Sequence, residues 1–104
     1  MTILLYKFLG EIVGTFLFII LILIITSKLS DAKKAALPIG FALVLSILLF
    51  GNLTGGHFNP AVSFTMFIKD PAYFTSLMLL TYIIAQLIGG VLALQVHNLI
   101  KNKI

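Results

Sequence analysis

Residues 55–63 read GGHFNPAVS, and the fold turns on how this stretch is read. The two glycines supply unusual backbone angles, and Asn59-Pro60 is a helix start, with asparagine at the N-cap and proline at the first helical position. From Pro60 to about Ile68 the residues are apolar and helix-compatible, but these nine residues reach only about 14 Å. That is half a bilayer. Gly51 to Phe58, just before them, have no helix to satisfy their peptide groups, which is tolerated at membrane depth only where backbone is buried in protein or lines water. The stretch therefore predicts a re-entrant loop and half-helix over about 54–68.

The surrounding chain is what makes membrane depth the relevant setting. Of its 104 residues 61% are hydrophobic and 10% charged, against roughly 25% charged in an average soluble domain. Stretches 12–27, 35–57 and 72–98 contain no Lys, Arg, Asp or Glu. About 20 residues cross a hydrocarbon core of about 30 Å, so three spans are expected, at about 8–27, 35–53 and 72–96. Lys7 before an apolar run resembles a signal peptide, but Glu11 breaks the run and no small-x-small cleavage site follows, so the first segment is expected to remain as a span. The fold class read here is an all-α membrane protein of three transmembrane helices plus one re-entrant half-helix, a single unit over 1–104.

Small residues mark the expected helix contacts. Gly10 and Gly14, with Thr15, share a face of the first span, and Gly89, Gly90 and Ala93 follow Gln86 in the third. Ala36, Gly40, Ala42 and Ser46 offer further small surfaces on the second, whose Pro38 is placed in its opening turn. Ser30 or Asp31 is expected to cap a lead-in to that span. Asp70-Pro71 reads as a second cap-plus-proline start, for the third span.

The chemistry of the half-helix start follows from its terminus. The first N–H groups of a helix lack internal partners, and the macrodipole makes that end partly positive. The Asn59 side-chain oxygen caps the helix and leaves two amide donors. A donor-rich site at mid-membrane binds water oxygen and repels cations. An interfacial helix with the same cap is the plainer alternative. No cysteine is present, so there is no disulfide framework or thiolate chemistry. No nucleophile-base pair or metal cluster is legible, so neither an enzyme nor a cofactor is expected. The net charge of +4 comes from seven lysines near span ends, which read as topology signals and lipid contacts rather than a nucleic-acid surface.

GGHFNPAVS as a whole resembles the first signature loop of the aquaporin family, the major intrinsic proteins. GEIVGT in the first span is similar to that family's opening helix and YIIAQLIGG to its third, so that residues 5–98 match the first half of the fold in order and spacing. The resemblance implies that Asn59, Pro60 and Ala61 are the first of two Asn-Pro-Ala boxes, with Asn59 donating to pore water. It implies that the carbonyls of Gly55, Gly56, His57 and Phe58 line the pore, and that Glu11 is buried and holds the loop. A lone membrane carboxylate is otherwise a candidate proton relay, but no second acid stands in any span. His57 reads as a loop brace, Gln86 as an interhelical hydrogen bonder, and His97 as a solvated end residue.

Departures from the family accompany the match. A full member has two inverted repeats whose half-helices meet, whereas one box is present here, and the sequence holds no arginine for the family's constriction. The constriction's aromatic position on the second span, a selectivity position, aligns with Ile39. Lys7 and Lys69 share one side and Lys28, Lys33, Lys34, Lys101 and Lys103 the other, which by the positive-inside rule is cytoplasmic and opposes the family's first-half orientation. Three readings stand. The chain is a passive channel subunit for water or a small neutral solute such as glycerol, its pore completed by a homo-oligomer or a second aquaporin half. It is an inactive fragment of a full aquaporin. Or it is a small assembly or regulatory protein without transport. Each places it in a lipid bilayer, a plasma or inner membrane, as a multi-pass protein.

Overall fold

The computed structural model describes residues 1–104 as four helices and no strand: α1 (Thr2–Lys28), α2 (Ala32–Thr54), α3 (Pro60–Lys69) and α4 (Ser76–Ile100). α1, α2 and α4 are long and apolar enough to cross a membrane. α3 is the half-helix, 10 residues or about 15 Å. α1 packs against both α2 and α4, and α3 packs against α4.

In lipid, helix association cannot draw on the hydrophobic effect and depends on close packing and polar contacts. Accordingly the buried residues of the bundle are mostly small or polar. On α4 a single face carries Tyr82, Ala85, Gln86, Gly89 and Ala93, all buried. A Cβ at Gly89 would stand 2.5 Å from the Ile12 carbonyl oxygen and 3.1 Å from the Phe16 nitrogen, so here the α1 backbone lies directly against α4. Large apolar side chains such as Leu48, Phe41 and Leu87 face outward. Gly40, Ala36 and Gly90 do not serve packing within the chain: no heavy atom lies within 4 Å of a Cβ built on either glycine, and Ala36 is exposed.

The helices run past the expected spans, and the ends have local causes. Asp31 caps α2, accepting from the Lys33 N–H at 2.9 Å, which starts the helix three residues before Ala35 and places Pro38 inside it rather than in its opening turn. The carbonyl four residues back, on exposed Lys34, is the one deprived of a partner. Asp70-Pro71 does not start α4. Proline disfavours helical angles in the residue before it, so Asp70 closes α3 and accepts the Tyr73 and Phe74 N–H groups in a turn. The cap of α4 is Thr75, whose hydroxyl accepts from the Met78 N–H at 3.3 Å. This later start lets Phe74 lie within the protein, its ring 5.0 Å from that of His57 and edge-on to Tyr82 at 4.9 Å.

Depth along α1 locates the loop. α2 ends beside Gly10, where a Cβ would meet the Thr54 methyl at 2.6 Å. Glu11 then meets His57 and Phe58, and Gly14 lies under the Phe58 ring, where a Cβ would overlap the ring itself. Gly14 is at the middle of α1, about 18 Å from Thr2. From there α3 turns back, and the short 70–75 link joins it to the start of α4. The segment enters and leaves on one side.

Candidate functional site

The loop is held from behind by one carboxylate. Glu11 is fully buried, at 0% exposure. Its Oε1 accepts from the Phe58 N–H and the Gln86 amide, both at 2.9 Å, and its Oε2 accepts from the Thr54 hydroxyl at 2.8 Å and the His57 N–H at 3.2 Å. All four partners are donors, the set suited to a carboxylate. The Thr54 hydroxyl in turn accepts from the Gly56 N–H at 3.0 Å. The Tyr82 hydroxyl donates to the Thr54 carbonyl at 2.6 Å, satisfying the end of α2 from α4.

A second set of contacts ties the half-helix to the same hub. Gln86 spends one amide hydrogen on Glu11 and donates the other to the Ser63 hydroxyl at 2.8 Å. Ser63, fully buried on α3, also lies 2.9 Å from His57 Nδ1. The His57 ring is held between Phe74 and Tyr82, with centroids 5.0 and 4.8 Å away. Thr15 Oγ1 and Gln86 Oε1 are buried without a partner in the chain.

The backbone of the loop sorts its polarity as a result. The N–H groups of Gly55, Gly56, His57 and Phe58 are all engaged, by Gly51, Thr54 and Glu11. None of the carbonyls of these four residues accepts a hydrogen bond from the chain. This sorting needs left-handed angles, with φ of +89° at Gly55, +66° at Gly56 and +52° at Phe58. The glycines take such angles freely. Phe58 does not, and a non-glycine residue held there costs about 1–3 kcal/mol. Its ring buried over Gly14 and its N–H bonded to Glu11 hold it in place.

Beyond the loop, Asn59 is the N-cap of α3, its Oδ1 accepting from the Ala61 N–H at 2.8 Å, with Pro60 at the first helical position. The Asn59 side chain is exposed and its amide nitrogen donates to nothing in the chain. Ala61 lines an open cavity of about 310 Å³ with Val62, Thr65 and Met66. Free acceptors, free donors and a positive helix terminus thus meet at the middle of the bundle.

The structure brings together Glu11, His57, Phe58, Asn59 and Gln86, and it adds Thr54, Ser63 and Tyr82, which sequence reasoning passed over. Helical spacing was the signal for two of them: Tyr82 lies one turn before Gln86, and Ser63 one turn after Asn59. Ile39 is not part of this cluster, lying about 22 Å along α2 from Thr54. His97 stands half-exposed in the last turn of α4, as expected of an end residue, but its Nε2 is shielded without a partner in the chain.

Fold and hub together define an integral membrane protein of three spanning helices and a re-entrant half-helix. A family model described as "Major intrinsic protein" matches residues 2–104, and the chain belongs to this family of membrane channels. It is 47% identical over 64 residues to an "Aquaglyceroporin" of Toxoplasma gondii, covering 62% of this chain and 24% of that one. It is 37% identical over 89 residues to "Glycerol uptake facilitator protein-like 6" of Lactiplantibacillus plantarum, covering 84% and 40%. It is 40% identical over 85 residues to "Aquaporin-8" of Mus musculus, covering 79% and 32%. The match thus spans between a quarter and two-fifths of those relatives' lengths. No solved structure matches the chain.

Proposed function

We propose that the chain is one half of a passive pore for water or a small neutral solute such as glycerol, completed by a second half-repeat inserted the other way up. One observation carries the reading: four carbonyls and the Asn59 amide, at the middle of the bundle, have no partner in the chain. Polar groups at that depth need protein or water. A file of water satisfies both kinds at once, donating to the carbonyls of Gly55, Gly56, His57 and Phe58 and accepting from Asn59. A half-helix of about 15 Å reaches only the middle, so the other half of the path needs a matching half-helix from the far side. Glu11 and Gln86 position the loop without facing solute, and Ile39, far along α2, sits where a constriction at the other mouth would be lined. The names of the relatives cited above, an aquaglyceroporin and a glycerol facilitator among them, support water or glycerol as solute.

The test is osmotic shrinkage of vesicles holding only the purified chain in both orientations, followed by stopped-flow light scattering. Water permeability above that of bare lipid is expected. Asn59→Asp keeps a capping oxygen but loses both donors, and the loss of one hydrogen bond worth about 1.4 kcal/mol at the barrier would slow permeation about tenfold. Flux equal to that of bare lipid, with the protein inserted and folded, would overturn the reading.

A further inference from the structure

The hydrogens of the hub run in one direction. A carboxylate at Glu11 only accepts, so Gln86 turns its –NH₂ rather than its oxygen toward it, and the second hydrogen of that group goes to the Ser63 hydroxyl at 2.8 Å. Ser63 Oγ has one further contact, with His57 Nδ1 at 2.9 Å. If His57 carried its proton on Nδ1 and donated it to Ser63, the Ser63 hydrogen would be left fully buried with no acceptor, a state that buried polar groups rarely occupy. With Ser63 as the donor, every hydrogen in the row has an acceptor. Nδ1 is then unprotonated, and a neutral imidazole carries its proton on Nε2.

That nitrogen has no partner in the chain and, unlike Nε2 of His97, is not shielded. The ring is held between Phe74 and Tyr82, and its free edge borders a cavity of about 210 Å³ at the end of α3, bounded by His57, Met66, Lys69, Asp70, Tyr73 and Phe74. A Cβ at Gly55 would stand 3.4 Å from Nε2. Gly55 follows the end of α2 beside Gly10, whereas Phe58 lies deeper, over Gly14, so Nε2 stands beside the outermost of the four residues whose carbonyls are free. Met66 also borders the cavity of Ala61, Val62 and Thr65, so the two cavities adjoin.

We propose that the His57 imidazole is a solute-facing donor, held in its Nε2–H tautomer by Glu11 acting through Gln86 and Ser63. Resting on the pore reading above, this extends the polar row of the loop beyond its backbone: a donor at His57, the carbonyls of residues 55–58, then the donor at Asn59. The oxygen that meets Nε2–H belongs to water or to an alcohol hydroxyl, both of which accept from an N–H. Ser63 touches no solute and is a positioning residue.

The ring nitrogens report the tautomer directly, since protonated and unprotonated imidazole nitrogens resonate far apart. The chain has two histidines, so nitrogen-15 spectra of the full protein in micelles at neutral pH are assigned by comparison with His57→Phe. Nε2 of His57 is expected to be protonated and Nδ1 unprotonated, and a protonated Nδ1 overturns the proposal. Ser63→Ala is expected to give a mixture of tautomers and Ser63→Thr, which keeps the hydroxyl, to restore one; a Ser63→Ala spectrum like that of the unaltered chain means that Ser63 does not set the proton. If Ser63→Ala does not fold, the spectrum of the unaltered chain still decides the tautomer. Added glycerol is expected to shift Nε2 and leave Nδ1 in place, and the absence of any shift at Nε2 overturns the solute contact. In vesicles, His57→Phe keeps a ring between Phe74 and Tyr82 but removes the donor, and is expected to lower the added water permeability severalfold. Unchanged permeability would make the ring a brace only. If the unaltered chain does not conduct, the pore reading falls, while the nitrogen spectra decide the tautomer and the glycerol contact without it.

Discussion

Glu11 shows how much of the loop depends on one side chain. Two backbone N–H groups, one hydroxyl and one amide all donate to its two oxygens. Glu11→Gln keeps the shape but exchanges one acceptor oxygen for a donor, turning an –NH₂ toward one of these pairs of donors. Hydrogen bonds to charged groups are worth about 1.5–3 kcal/mol each, and leaving buried donors unmet adds to the loss. Glu11→Gln is therefore expected to lower stability by about 3 kcal/mol, read as unfolding of the purified protein in detergent, and to speed hydrogen exchange at the His57 and Phe58 amides. Tyr82→Phe removes one neutral bond, to the Thr54 carbonyl, and is expected to cost about 1 kcal/mol. Equal costs, or unchanged exchange at residues 57 and 58 in Glu11→Gln, would show that the carboxylate does not hold the loop.

Among the elements, the half-helix was the most legible, because Asn59-Pro60 names both cap and first turn and the apolar run after it is too short to span. The three long helices were legible from hydropathy and the α2 start from Asp31, one of its two expected caps, but the other ends were not, since a transmembrane helix continues into the headgroup region for as long as a local cap allows. Asp31 and Thr75 set two of the ends through side-chain bonds, and nothing in the apolar pattern distinguishes Thr75 from Asp70 as the cap. The glycines were legible only as a class. Gly89 and Gly90 are adjacent and chemically identical, yet one lies against α1 backbone and the other in open space. Gly89→Ala forces a methyl against the Ile12 carbonyl, which cannot move without shifting α1, and is expected to destabilise the protein by about 1–3 kcal/mol. Gly90→Ala is expected to be neutral or slightly stabilising, since alanine is the better helix former by about 1 kcal/mol. Thermal unfolding of the pair in the same detergent decides it, and a cost for Gly90→Ala equal to that for Gly89→Ala would mean that the α1–α4 contact is not where the structure places it.

The whole molecule buries its polar hub well and leaves the loop carbonyls and the Asn59 amide without partners, and on the pore reading proposed above its function depends on association. Glu11, Ser63, Thr54 and Gln86 are covered within the chain, whereas the carbonyls of residues 55–58 and the Asn59 amide have no partner. If a pore requires two half-repeats that meet reversibly in the bilayer, mass action makes the number of complete pores depend on the square of the surface density while most chains are unpaired. Diluting the purified chain tenfold in lipid, with orientations mixed, is then expected to reduce the added water permeability about a hundredfold. A single chain that conducted by itself would lose about tenfold, in proportion to its amount. Asn59→Asp supplies the background at each density, because it removes the donors without removing the cap. Covalently joining two copies through a linker able to cross the membrane should return the dependence to first order, since the second half is then held nearby at a fixed effective concentration. A first-order dependence for the unlinked chain would place the entire path within one molecule, and a second-order dependence abolished by linking would place half of it in each.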